Sequence, residues 1–355
     1  MSNAKNLKIN QIDKKNISFK ELSLIKNMIF WVDIIPDDQT HKNAIFAKPF
    51  NDKNAIPQKL TGDNFYIKSN FHGYGGKSYQ CIEVNDQIYL IWVDQLSKAM
   101  WLQILRVQEK VPKNDNEYLL CDMEPIQLTE SIKTNFDTSF VISKNNLLYG
   151  LCEIKHRDYL FSLNLKKTKQ EIRIIKKFDN FAGNLSSNIS ADLFSWTEWS
   201  SDSMPWERNE LFFAIIDNDG EIQKIKKFSN KLVNEEKNVS FFQPYWVSDN
   251  ILVCSEDSTG WWNLLFLDVT DIKNIILKKR IIKPLTEYGS PQWVSGISFF
   301  SGNIKNLFCV AKKDNSWVLE HYQNCECIKE LKLPFCSIGD LDVYDRKLVI
   351  RGCSF

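Results

Sequence analysis

One pattern of apolar and polar positions recurs along this chain of 355 residues. A short apolar run, often aromatic or β-branched and usually closed by Asp or Glu, appears as "NMIFWVD", "QIYLIWVD", "NLLYGLCE", "DLFSWTEW", "NILVCSED", "NLFCVAKK" and "KLVIRGC". The runs begin at residues 27, 87, 146, 192, 250, 306 and 347, so successive copies are 41 to 60 residues apart. Runs of this length and composition read as strands. Ahead of each lies another strand candidate, such as "FQPYWVS" or "SPQWVSGISFF". After it, across a polar turn, comes a third, such as "NAIFAKPF", "AMWLQILR" or "WNLLFLDV". A more polar fourth run then closes the unit, as in "EIRIIKKF", "EIQKIKKFS", "IIKPLTEY" and "CIKELKLP". Four strands at this period predict propeller blades. The Lys-rich fourth run suits a solvent-facing edge, where charge discourages edge-to-edge pairing.

The first two strands occur seven times and the last two six times. The expected fold is therefore all-β: a seven-bladed β-propeller of four-stranded antiparallel blades, the seventh incomplete. Residues 1–20 read as a polar N-terminal segment and residues 21–355 as the propeller domain. Half a blade leaves an unpaired sheet edge and an uncovered core face. Either the N-terminal "NLKINQI" or "NISFKEL" donates strands, or the chain is a fragment of a longer protein, and the second is the favoured expectation.

Composition narrows the function classes. Lys and Arg number 45 against 44 Asp and Glu, a net charge of +1 that argues against a nucleic-acid partner. The N-terminus has no apolar signal region, and runs such as "MIFWV" are too short to span a bilayer, so a soluble, cytoplasmic protein with no membrane partner is expected. Nine scattered cysteines, an odd number, fit free thiols in a reducing compartment. Cys325 and Cys327 have no second pair or His cluster nearby to complete a zinc site, so neither a metal nor another cofactor is expected. Aromatics reach 13%, with 11 Trp, which fits flat rings packing between many short sheets.

The stretch "NFHGYGGKSYQ" offers two enzymatic readings, and both fail. A phosphate-binding loop needs glycine five positions before Gly76, where Phe71 stands, and it should open a helix rather than the strand-like "SYQCIEV". A serine nucleophile elbow needs glycine at 80, which is Gln80, and no G-x-S-x-G occurs anywhere in the chain. No catalytic residue is therefore assigned. His72 is the only histidine in a suggestive context. The strand-closing Asp and Glu residues recur once per unit and read as structural. The densest aromatic segment, "WTEWSSDSMPWERNELFF", is either a hairpin tip covered by its own rings or an aromatic lip over a ligand.

Read together, "SWTEWSSDSMPWERNELFFAII", "VSFFQPYWVSDNILVCSEDSTGWWNLLFL", "PLTEYGSPQWVSGISFF" and "FYIKSNFHGYGGKSY" resemble the β-propeller half of prolyl oligopeptidase-family serine peptidases. The nearest branch is the acylaminoacyl-peptidase and dipeptidyl-peptidase-like one. The resemblance runs from about Glu21 to the end of the chain. It implies a two-domain enzyme in which a following α/β-hydrolase domain, expected beyond residue 355, carries the Ser-His-Asp triad. The propeller then covers the active site and admits short peptides, and its inner rim can touch them. Members of the family often carry Glu where this chain has Gly73, so any role of that acid is absent here.

The leading expectation is a non-catalytic, substrate-gating propeller whose partners are that hydrolase domain and short peptide substrates. His72, Tyr74, Trp199, Met204 and Trp206 are the candidate substrate-binding residues. A free-standing propeller scaffold that binds a protein or peptide is the alternative. A propeller glycosidase or lactonase has no Asp/Asn/Glu cluster to support it.

Overall fold

A computed structural model describes residues 20–35, 42–108, 117–131, 133–233 and 238–354. Apart from Lys20, which opens the first strand, the polar N-terminal segment lies outside the described residues. The repeating runs fold as the pattern predicts. Six of the seven second strands, among them Met28–Ile34, Gln87–Asp94, Leu147–Ile154 and Ile251–Glu256, occupy the interior of an antiparallel sheet. The Ile251–Glu256 strand is buried at every position, since a sheet packs on either side of it. The outer strands Arg173–Lys177 and Glu326–Lys332 are largely exposed, as their lysines require.

The strands group into six four- or five-stranded sheets, numbered here as blades 1 to 6 in chain order, followed by a two-stranded ribbon, Ser337–Tyr344 with Lys347–Cys353. The described residues thus build six blades and not seven, because they give the seventh unit only its two inner strands. The inner strand of the ribbon lies between blade 6 and blade 1 and closes the ring. Large apolar side chains fill the spaces between neighbouring sheets. Phe30, Ile45, Trp92 and Leu105 do so between blades 1 and 2, and Phe242, Trp262, Phe300, Tyr322 and Leu341 around blades 5 and 6 and the ribbon. Secondary structure other than strand is confined, among the described residues, to two short 3-10 turns, Phe71–Gly73 and Asn230–Leu232, and no helix is long and apolar enough to cross a membrane.

Two stretches depart from the pattern. "IIKPLTEY" is not the fourth strand of blade 5, because the ladder uses Ile276–Arg280 just before it. Pro284 lacks an N–H to donate, and the run leads instead into Thr286–Glu287, the start of blade 6. "SPQWVSGISFF" is a strand only at its end, Phe300–Asn303. Residues 288–299 leave blade 6 and reach across the ring, where Ser295 bridges to Gly76 at the entry to blade 2. Ser295 Oγ also donates to Asp137 Oδ1 of blade 3 at 2.6 Å.

Neighbouring blades share no strand ladder, so the buried backbone at their inner edges needs other partners. Side chains supply them at every boundary. Ser78 N–H donates to Glu21 Oε2 at 2.6 Å, Phe140 N–H to Gln80 Oε1 at 2.6 Å and Ala182 N–H to Asp158 Oδ2 at 2.8 Å. Phe241 N–H donates to Asn209 Oδ1 at 2.8 Å and Phe299 N–H to Gln243 Oε1 at 2.7 Å. Val343 N–H donates to Ser301 Oγ at 3.2 Å, and Leu24 N–H to Asp342 Oδ2 at 2.8 Å, which closes the circuit. Glu21 and Gln243 sit at positive φ within inner-strand bulges, which turn their side chains toward the next blade.

Two predictions follow from this lacing and from the crossing segment. Burial pushes the Glu21 carboxyl up to about 7, against the opposing hydrogen bonds from Ser78, whereas its ordinary value is 4.5. Between those values the folded chain holds a proton that the unfolded chain has released, so the stability Glu21 contributes is complete at the acid end and is lost as pH rises through the window. Glu21→Gln keeps a neutral side chain, so its melting temperature should gain on that of the parent between about pH 5 and 7.5. Parallel pH profiles for the two proteins would refute this. Separately, a Cβ on Gly76 would meet the Ser295 backbone oxygen at 2.7 Å, whereas one on Gly73 meets nothing within 4 Å. Gly76→Ala should therefore cost about 1–3 kcal/mol in urea unfolding, and more than Gly73→Ala, whose cost is limited to its positive φ at about 1 kcal/mol.

Candidate binding cavity

The segment 70–76, the blade 4 hairpin tip and the crossing segment 288–299 converge on one face of the ring and enclose a cavity of about 600 Å³. All five sequence-derived candidates, His72, Tyr74, Trp199, Met204 and Trp206, lie on its wall. His72 and Tyr74 come from the turn that enters blade 2. Trp199 ends the second strand of blade 4, and Met204 and Trp206 come from the tip that follows it. Trp196 of the same segment is fully buried in the core and donates through Nε1 to Glu198 Oε1 at 2.8 Å. The hairpin tip therefore keeps Trp196 in the core and sets Met204 and Trp206 on the cavity wall.

Asn209 fixes the tip. Its Nδ2 donates to the carbonyl oxygens of Pro205 and Phe241, both at 2.8 Å, and Ser240 Oγ donates to Pro205 O at 2.5 Å. Trp206 is thereby held against Trp293 of the crossing segment, with ring centroids 4.4 Å apart. Tyr74 meets the same Trp293 ring edge-on at 6.3 Å. Deeper in the wall, His72 stacks on Phe71 and meets Phe181 and Trp199 edge-on, and Phe181 and Trp199 stack on each other. Tyr74 and Trp293 remain 67% and 54% exposed, so the rim presents aromatic surface to solvent.

Several polar groups of the wall are fixed by hydrogen bonds. His72 Nε2 lies 2.7 Å from Asp158 Oδ2 and its backbone N–H donates to Glu153 Oε2 at 3.2 Å. Asn135 Nδ2 donates to the same Glu153 oxygen at 3.2 Å. Asn184 Nδ2 donates to Gln292 Oε1 at 2.6 Å and ties blade 4 to the crossing segment. Burial raises the Asp137 carboxyl above its ordinary range, against the Ser295 hydrogen bond and the nearby His72. His72 thus turns Nε2 to a carboxylate and not to a serine hydroxyl. No group of three or more His, Cys, Asp or Glu among the described residues is placed to hold a metal ion.

Sequence reasoning missed Trp293, Phe181, Asn184, Gln292 and Glu153, all of which line the cavity. Trp293 was within sight, inside the quoted "SPQWV". Glu153 was hidden among the strand-closing acids, most of which are structural. Asp94 accepts from Tyr66 N, Ser97 N and Ser97 Oγ, and Glu256 accepts from Arg280 Nε and Ser258 N.

No protein-family profile and no curated protein sequence matches the chain. Solved structures do. A puromycin-hydrolysing peptidase of Mycobacterium tuberculosis superposes with a TM-score of 0.76 at 15% identity, over 95% of this chain and 49% of that one. The β-propeller domain of the trilobed protease from Pyrococcus furiosus, described as having an open velcro topology, gives 0.57 at 11% identity over 96% of this chain and 92% of that domain. Prolyl oligopeptidase B from Galerina marginata, bound to a 25-residue macrocyclisation substrate, gives 0.52 at 10% identity over 90% of this chain and 44% of that one. The chain thus spans about half the length of the puromycin-hydrolysing peptidase. At these identities the likeness is one of fold, and that fold is the β-propeller.

Proposed function

We propose that this chain is the non-catalytic, substrate-gating β-propeller of a prolyl oligopeptidase-family serine peptidase, nearest the acylaminoacyl-peptidase-like branch. Its partners are an α/β-hydrolase domain that carries the Ser-His-Asp triad and the short peptides that domain cleaves. The ribbon stands in the seventh position of the ring and belongs to a seventh blade in the whole enzyme. Cytoplasmic residence fits the nine cysteines, none of them paired with another.

The observation that carries this reading is the convergence of His72, Tyr74, Trp199, Met204 and Trp206 on one cavity at the propeller face. These residues contact the peptide. The aromatic wall takes its apolar side chains, while Asn135, Asn184 and Gln292 offer amide groups to its backbone. The bridge from Ser295 to Gly76 spans the ring from blade 6 to blade 2, and this favours small or unfolded ligands over folded ones.

The purified chain should bind short peptides, with a change in tryptophan fluorescence, and leave aminoacyl and acyl-aminoacyl chromogenic substrates uncut. Trp199→Ala together with Tyr74→Ala should weaken that binding about tenfold or more, as loss of two aromatic contacts implies, with the far-UV circular dichroism unchanged. Undiminished binding by the double variant would remove the cavity from the mechanism. Turnover abolished by a serine-directed inhibitor would overturn the non-catalytic assignment.

A further inference from the structure

Four residues of the cavity wall, Gln292, Trp293, Val294 and Ser295, come from a stretch with few roots in the core. From 290 to 298 no residue is buried, although Tyr288 and Gly289 before it and Phe299 and Phe300 after it all are. Among the described residues the stretch joins no strand ladder, and its one bridge is that of Ser295 to Gly76. Trp293 and Val294 lie exposed within it. Scant apolar burial and the lack of a ladder give a segment a low free energy of local opening.

Its ends and its middle are held differently. At one end the Tyr288 hydroxyl donates to Glu320 Oε2 at 2.6 Å within the core, and at the other Ser298 Oγ donates to Leu341 O at 2.8 Å. The middle rests on side-chain contacts: Asn184 Nδ2 donates to Gln292 Oε1, Gln292 Nε2 donates to Phe241 O at 3.1 Å, and Trp293 packs on Trp206. Its deepest fastening is the bond from Ser295 Oγ to Asp137, a residue only 1% exposed. Beside it, the Lys77 N–H donates to Ser295 O at 3.2 Å. Glycines stand where the middle meets each end. Gly289 lies against Trp262 and Phe242, and Gly296 sits at a φ of 83°. Glycine backbone turns there at little steric cost, as a hinge requires.

We infer that residues 290–295 form a strap that lifts as one unit, turning at Gly289 and Gly296 while the propeller stays folded, and that the Ser295–Asp137 hydrogen bond is its fastening. Lifting withdraws Gln292, Trp293, Val294 and Ser295 from the cavity wall, uncovers Asp137 and removes the span between blades 6 and 2. The movement is a property of the segment whatever the cavity binds, so it stands apart from the peptide-binding reading above.

Amide hydrogen exchange of the purified chain, resolved by residue, tests it. The Lys77 N–H has its acceptor on the strap, whereas Ser78 and Phe299 have theirs on Glu21 and Gln243, which stay in place. Lys77 should therefore be protected about 100-fold less than Ser78 and Phe299. Its exchange should be unchanged by about 1 M urea, because lifting exposes little surface. Ser295→Ala should speed Lys77 by about 10- to 100-fold, the equilibrium equivalent of one hydrogen bond to a buried carboxyl, and leave Ser78 and Phe299 as they were. Lys77 exchange with the protection of its neighbours, or with their urea dependence, would mean that the segment opens only with the ring and would overturn the inference from the parent protein alone. Acceleration of all three amides by Ser295→Ala, or of none, would overturn the assignment of the fastening.

Discussion

The ring stands on one kind of interaction: a side-chain oxygen on one blade that accepts a backbone N–H from the inner strand of the next. Blades are separate sheets, so no ladder crosses their boundaries, and most of the residues that donate across them, among them Leu24, Ser78, Ala182 and Phe241, are buried. A buried N–H left unpaired there would cost about 1–3 kcal/mol. Glu21, Gln80, Asp158, Asn209, Gln243 and Asp342 each remove one such cost, and Ser301 shares the Val343 N–H with Asp342 Oδ1. Apolar packing between the sheets supplies the bulk of the cohesion, but it is tolerant of rotation. The directional bonds set which residue of one blade faces which residue of the next, and so fix what projects from the face.

The cavity is a product of that fixing. Asp158 serves both as the partner of Ala182 at the boundary between blades 3 and 4 and as the support of His72. Asn209 serves both as the partner of Phe241 and as the clasp of the tip that carries Met204 and Trp206. Two of the residues that hold the ring together therefore also hold the cavity wall, and their replacement would disturb both.

The strands and the blade period were legible because two-sided burial demands continuous apolar runs, and such runs are visible in "QIYLIWVD" or "NILVCSED". The boundary side chains were not. Glu21, Gln80 and Gln243 are ordinary polar residues in strand-like runs, and what makes them special is a bulge or a neighbour far away in sequence. The aromatic half of the cavity could be read from the density of Trp around Met204. Glu153 could not, because its sequence context is that of Asp94 and Glu256, acids consumed by local hydrogen bonds. The course of residues 288–299 was also hidden, since a stretch rich in Trp, Val, Ile and Phe looks like a strand until a glycine on the far side, Gly76, is seen to make room for it.

The crossing of Ser295 to Gly76 has a mechanical meaning. A closed ring of wedges deforms most easily into an oval, as opposite sides approach or part while each wedge stays intact. A segment fastened to both blade 6 and blade 2 is a chord, and a chord suppresses that mode along its own length. Gly76 lies two residues from Ser78, the partner of Glu21, and Ser295 lies two residues from Trp293 on the cavity rim. The chord therefore joins the cavity rim, at Trp293, to the lacing between blades 1 and 2, at Ser78.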